Sequence, residues 1–153
     1  MFSPDLLKGR VALITGGAGG IGFEISKTYA RLGAQVVLAS RSQERLDGAV
    51  TEMAAEGLKA ITFKTDVRNY DEVEATIEKT VAQLGSLDIL VNNAAGNFSC
   101  PTSELSPNGW RTVVDIDLNG TFYGCRAGYT HLKNSAYGGC IISIVTMLGL
   151  SGW

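Results

Sequence analysis

Thr15-Gly16-Gly17-Ala18-Gly19-Gly20-Ile21-Gly22 has the residue types and spacing of an anion cradle. Glycines allow a tight turn, leave no side chain between the main chain and a pyrophosphate, and let a following helix pack closely on the preceding strand. Read as Gly17-x-Gly19-x-x-Gly22, the run fits the general dinucleotide pattern, which alone is weak. Read as Gly16-x-x-x-Gly20-x-Gly22 after a threonine, the spacing is rarer and carries more information. A glycine-rich turn with no ligand is the plain alternative. The lysine and hydroxyl of a triphosphate-binding loop are missing, which argues against a nucleotide triphosphatase.

Further residues could complete a site. Ser40-Arg41 stands where a dinucleotide site chooses its cofactor. A carboxylate there binds a ribose 2′-hydroxyl, whereas a hydroxyl and a guanidinium suit a 2′-phosphate, which arginine can hold bidentately. The alternative is a solvated surface arginine. Asp66 could accept a hydrogen bond from an adenine amino group or cap the next helix as a turn aspartate. Asn92 and Asn93 could tie strands together, with the small Ala94-Ala95-Gly96 backbone letting a ribose pass, or could form a polar turn. In helical register Asp117 follows Trp110, Val113 and Val114 and precedes Thr121, so it is expected on a core-facing stripe where a carboxylate must be hydrogen-bonded or paired. The alternatives are a structural aspartate or one turned to solvent by a bent helix. Thr146 could present a hydroxyl to a nicotinamide or simply end a strand. His131, the only histidine, reads as surface or structural near a helix C-terminus, with no partner cluster for catalysis or metal.

These residues need elements to place them. Arg10-Val11-Ala12-Leu13-Ile14 reads as a buried strand, and Ile21, Ile25, Tyr29 and Leu32 predict a helix opening inside the glycine run. Ala34–Ala39 predicts a second strand. Ser42 caps a helix with Leu46, Val50 and Met53 on one face, and Ala60–Phe63 begins a third strand that closes on Asp66-Val67. Val73, Ile77, Val81 and Leu84 mark a third helix, Leu87–Val91 a fourth strand, and Cys140–Val145 a fifth after a long helical region from about Trp110 to Leu132. Strands alternating with amphipathic helices imply a parallel, doubly wound α/β sheet of Rossmann type. The sites then fall at the strands' carboxyl ends, where Gly16, Ser40, Asp66, Asn93 and Thr146 lie.

The bulk properties set limits. The 153 residues suffice for one domain, expected as a single dinucleotide-binding domain over 1–153. A net charge of −2 gives no general attraction to nucleic acid or an acidic membrane. Cys100, Cys125 and Cys140 lack metal or redox spacing and read as reduced, buried thiols of a cytoplasmic protein. Met1–Arg10 lacks a signal-peptide layout, no apolar run approaches the ~20 residues of a membrane span, and Leu150-Ser151-Gly152-Trp153 is no recognised targeting tail.

Together the Thr15–Gly22 loop, Asp66-Val67, Asn92–Gly96, Asp117-Leu118-Asn119-Gly120 and the fifth strand resemble the short-chain dehydrogenase/reductase family, over essentially the whole chain. Asn93-Ala94-Ala95-Gly96-Asn97-Phe98 and Asp115-Ile116-Asp117 are similar to the 2,4-dienoyl-CoA reductases and their trans-2-enoyl-CoA reductase relatives, which are NADPH-dependent. The resemblance implies that Gly16, Gly19, Gly20, Ile21, Gly22, Ser40, Arg41, Asp66, Val67, Asn93, Ala94 and Ala95 bind the cofactor. It makes Asp117 and Thr146 the candidate catalytic residues. Most members carry Asn at the position of Asp117, whereas the dienoyl-CoA branch carries Asp. Val145-Thr146 stands where paired serines are usual.

The family's Tyr-x-x-x-Lys motif would follow the fifth strand and is not reached, so the chain is expected to be the cofactor-binding portion, truncated after that strand and inactive alone. A non-catalytic NADP(H)-binding module, or half of a complemented protein, is the alternative. For the full-length form the resemblance implies a small-molecule substrate, with acyl-CoA thioesters among the candidates, and homo-oligomers paired through the long helix.

Overall fold

The computed structural model describes residues 2–146. The tail residues Leu150–Trp153 lie outside the described residues. Val11–Thr15 (β1) is apolar on both faces and buried at every position, as a strand sandwiched between helices must be. It is followed by Gly20–Arg31 (α1), Gln35–Ser40 (β2), Gln43–Ala55 (α2), Ala60–Lys64 (β3), Tyr70–Leu84 (α3) and Ile89–Asn92 (β4). Pro107–Val114 (α4), a π-helical segment at Asp115–Asn119, Gly120–Lys133 (α5) and Cys140–Ser143 (β5) complete the order.

All strand pairs are parallel, in the order β3-β2-β1-β4-β5. Successive connections therefore run in opposite directions from β1, and a crevice opens at its carboxyl end. Side chains alternate along β1. Ala12 and Ile14 join Phe23, Leu38, Leu46 and Met53 under α1 and α2. Leu13 faces the other way, with Val37, Ile77, Leu90 and Leu132 under α3 and α5. The doubly wound α/β expectation stands. Strand boundaries move slightly: β3 stops at Lys64 and β5 at Ser143, short of the expected ends.

Three expectations are corrected. The α1 stripe is rotated: Ile21 is exposed and Ile25 and Tyr29 are half-buried, whereas Gly22, Phe23, Ser26 and Lys27 are buried. The buried Lys27 ammonium is satisfied by Glu24 at 2.9 Å, Glu52 at 2.9 Å and Glu56 at 3.6 Å. Glu24 first, then Glu52, holds it above the ordinary lysine range. A lysine can therefore sit where hydropathy alone places an isoleucine. The thiols are not uniformly buried, because Cys100 and Cys140 are exposed and Cys125 is half-buried. The long helix from Trp110 is not one α-helix either, since its ladder widens at Asp115–Asn119, and that shift changes which residues face the core.

Close approach of α5 to the sheet depends on a row of glycines. A Cβ at Gly120 would lie 3.0 Å from Val67, and one at Gly124 would lie 2.5 Å from Asn92 Oδ1. At the opposite end of the sheet, fully buried Asp88 joins three segments. Its Oδ2 accepts from Val11 N–H and the Ser86 hydroxyl, both at 2.8 Å, and its Oδ1 accepts from the Ser135 hydroxyl at 2.5 Å.

Candidate functional site

A cavity of about 870 Å³ lies across the carboxyl ends of β1 to β4. Its floor is the glycine loop. Gly16 (φ 66°) and Gly20 (φ 53°) have left-handed backbone, so side chains there would be strained. An added Cβ at Gly19 or Gly20 would meet nothing within 4 Å, which leaves the loop's upper surface open. No side chain caps α1 at Gly19, so its first N–H groups keep their polarity for an incoming anion. Gly22 serves a different purpose. It is buried beneath the loop, and a Cβ there would collide with the Asn93 amide and come within 2.6 Å of Gly16 O.

Thr15 fixes the facing wall. Its hydroxyl donates to Val91 O at 3.3 Å and accepts from Asn93 N–H at 3.0 Å and Ala94 N–H at 3.1 Å. The Asn93 amide donates to Thr15 O at 2.9 Å. Asn93 therefore ties β4 to β1, and Ala94 and Ala95 line the cavity with little more than backbone. Asn92 turns away and donates to Cys125 Sγ at 3.5 Å.

At the far end stand Ser40, Arg41, Ser42 and Arg45, all lining the cavity. Ser42 accepts from Arg45 N–H at 3.3 Å, confirming the expected cap and placing Arg45 one turn from Arg41. Asp66 and Val67 form the side wall. Asn69, not Asp66, caps α3, since its side chain accepts from Asp71 N–H at 3.1 Å. The Arg68 guanidinium, bonded side-on to Asp66, holds that carboxyl below the ordinary carboxylate range. Thus Gly16, Gly19, Gly20, Ile21, Ser40, Arg41, Asp66, Val67, Asn93, Ala94 and Ala95 meet around one cavity.

Asp117 and Thr146 are not among its lining residues. Asp117 does not face the core; it is exposed on the π-helical segment, where its Oδ1 accepts from Gly96 N–H at 2.8 Å. Ile116 takes the buried place instead and lines the cavity. Thr146 lies exposed, three residues beyond the end of β5. Sequence reasoning passed over Arg45 and Arg68. Arg45 follows Ser42 by one helical turn, and Arg68 follows Asp66 by two residues, so the positions themselves carried a signal. His131 bonds Glu78 on α3 at 2.9 Å, a structural contact.

A nicotinamide dinucleotide fits this donor set, with an open glycine floor for its pyrophosphate, guanidinium groups at one end and small backbone at the other. The model of the short chain dehydrogenase family matches residues 10–153. The chain belongs to that family, whose fold and site imply a nicotinamide cofactor. It is 46% identical over 154 residues to a peroxisomal 2,4-dienoyl-CoA reductase of Arabidopsis thaliana, covering 96% of this chain and 52% of that protein. It is 42% identical to the rat protein so named, covering 99% of this chain and 52% of the relative. A short-chain type dehydrogenase/reductase from Mycobacterium marinum superposes with a TM-score of 0.90 at 31% identity, over 96% of this chain and 60% of that one. The chain spans about half the length of the curated relatives it matches.

Proposed function

We propose that this chain is the NADP(H)-binding portion of a short-chain dehydrogenase/reductase that reduces an enoyl- or dienoyl-CoA, or a related carbonyl compound. The observation that carries the cofactor reading is the end of β2, where a serine and an arginine, Ser40 and Arg41, and not a carboxylate, line the cavity. An NAD site would place a carboxylate there, and a 2′-phosphate would be repelled by it. The substrate class rests on similarity to the dienoyl-CoA reductases, whose names state that reaction.

When bound, NADPH supplies the hydride. In this reading the chain's own residues divide the remaining work. The α1 N-terminus and the glycine loop orient the pyrophosphate, Asp66 accepts from the adenine amino group, and Ala94 and Ala95 leave room for a ribose. Asp117, held by Gly96 N–H, organises protons near the substrate, and Thr146 polarises it. Turnover belongs to the whole protein, with oligomers paired through the helical region that includes Asp117 to Leu132.

A second reading is a binding module completed by another chain. Among the described residues β5 is an outer strand, and Ile141 within it and Ile144 and Val145 just after it are exposed, which favours a covering partner. No helix among the described residues is long and apolar enough to cross a membrane. A cytoplasmic location is the composition's reading, against relatives named peroxisomal. Imaging a fusion of the full coding sequence separates the two.

The test is titration of the chain with NADPH and NADH, following nucleotide fluorescence and thermal transition together. NADPH should bind more tightly by about 10-fold or more. Arg41→Ala should erase that preference without weakening NADH, as expected for loss of a charge-assisted phosphate bond. Equal binding of both nucleotides by the unaltered chain would overturn NADP specificity.

A further inference from the structure

The proposed cavity must admit phosphates, yet a carboxylate stands in its wall. Asp66 is the only acid among the described lining residues, beside Arg41, Arg45 and Arg68. An unpaired carboxylate there would repel the ligand that the glycine loop is built to receive.

Arg68 removes that conflict. Its Nε donates to both Asp66 oxygens at 3.0 Å, its Nη2 donates to Oδ2 at 2.5 Å, and its backbone N–H donates to Oδ1 at 3.1 Å. The guanidinium therefore lies along the edge of the carboxylate, the geometry in which arginine holds its partner's orientation as well as its charge. The turn beneath does not depend on this pair. Asp66 N–H donates to Glu72 Oε2 at 2.8 Å, Asn69 N–H donates to Asp66 O at 3.0 Å, and Asn69 caps α3. Two further charges act on the pair at longer range, Arg41 on Asp66 and Asp115 on Arg68. Asp115 is itself fixed by the Asn119 amide at 2.8 Å.

We infer that Arg68 is a positioning residue of the cofactor site: it neutralises and orients Asp66, so that an acceptor for the base and a phosphate-rich ligand share one cavity. This inference rests on the NADP(H) reading above. Arg68 acts through Asp66, so its contribution should vanish when Asp66 carries no charge.

The test is a double-mutant cycle, with NADPH titrated into the unaltered chain, Arg68→Gln, Arg68→Lys, Asp66→Asn and the double variant. Each is measured at about 0.05 M and 0.5 M salt, which shortens the screening length roughly threefold. Arg68→Gln should weaken binding by roughly 3- to 10-fold at low salt and less at high salt, as for a partly exposed charge pair. Arg68→Lys, which keeps the charge but loses the guanidinium fork, should recover only part of that loss. The double variant should bind as tightly as Asp66→Asn.

An Arg68→Gln loss that persists in the Asp66→Asn background would overturn the inference and make Arg68 a direct ligand contact. Unchanged affinity in Arg68→Gln would also overturn it. If Arg68→Gln melts early, the double variant against Asp66→Asn decides alone, since neither leaves a carboxylate unpaired. A folded, unaltered chain that fails to bind NADPH overturns the cofactor reading itself.

Discussion

β1 and β2, covered by α1 and α2 on one face and α3 on the other, bury almost every apolar side chain they carry, and their carboxyl ends meet in a formed cavity. The part built from α4, the π-helical segment, α5 and β5 is different. It leaves Trp110, Leu118, Phe122, Tyr129, Ile141 and Val145 exposed, and Asp117 and Thr146 lie outside the cavity lining. The first region forms the floor of that cavity from its own glycine loop. The second leaves those large apolar side chains exposed among the described residues. In the proposed reading, cofactor binding and substrate chemistry draw on these two regions unequally, so variants in them should behave differently.

The strongest way to break the contrast is Gly22→Val. The added side chain has no room beneath the loop, and Asn93 and the Gly16 carbonyl must move. NADPH binding should fall by about 100-fold or more, with stability reduced by about 1–3 kcal/mol, the usual range for overpacking. Nucleotide titration and urea unfolding report the two effects separately. Wild-type affinity in this variant would show that the loop is not the cradle.

Asp88→Ala attacks the junction between the regions. It strands the buried Val11 N–H and releases Ser86 and Ser135. A loss of about 2–4 kcal/mol is expected from unsatisfied buried donors, read as a lower urea midpoint. Asp88→Asn should recover part of it. Asp117→Ala should cost much less, about 1 kcal/mol, because only one hydrogen bond to Gly96 is lost from an exposed side chain. NADPH affinity should stay within about 2-fold, and a larger loss would join Asp117 to the cofactor region.

The smallest effect concerns pH. Arg68 depresses the folded carboxyl of Asp66 below its unfolded value. The pair's stabilisation is therefore fully present above about pH 4 and is lost as pH falls through the lower, folded value. Solvent screening of this partly exposed pair limits it to under about 1 kcal/mol. Unfolding free energies at about pH 5 and pH 3 should differ less in Arg68→Gln than in the unaltered chain. An unchanged difference would mean that the pair contributes nothing.

Much of the architecture was legible because it follows local rules. The β1 run, the glycine loop and the Ser42 cap each impose a conformation within a few residues. Eleven of the expected cofactor residues line the cavity, and Gly22 stands beneath it. The misreadings share another cause. Ile21 is exposed and Lys27 buried because Glu52 on α2 and Glu56 just after it join Glu24 in satisfying the lysine, and the first two lie outside any period within α1. Asp117 left the core because one widened turn shifted the helical register, and a fixed period of 3.6 residues does not see that turn.

By itself the sequence determined the order of strands and helices, the left-handed glycines and the chemistry of Ser40-Arg41, since these depend on backbone sterics and side-chain type. Only the tertiary structure decided that Thr15 would hold Asn93 and Ala94 from more than seventy residues away, and that α5 would settle on β4 through its glycines. Those contacts join residues distant in the chain, and only packing of the sheet against its helices brings them within bonding distance.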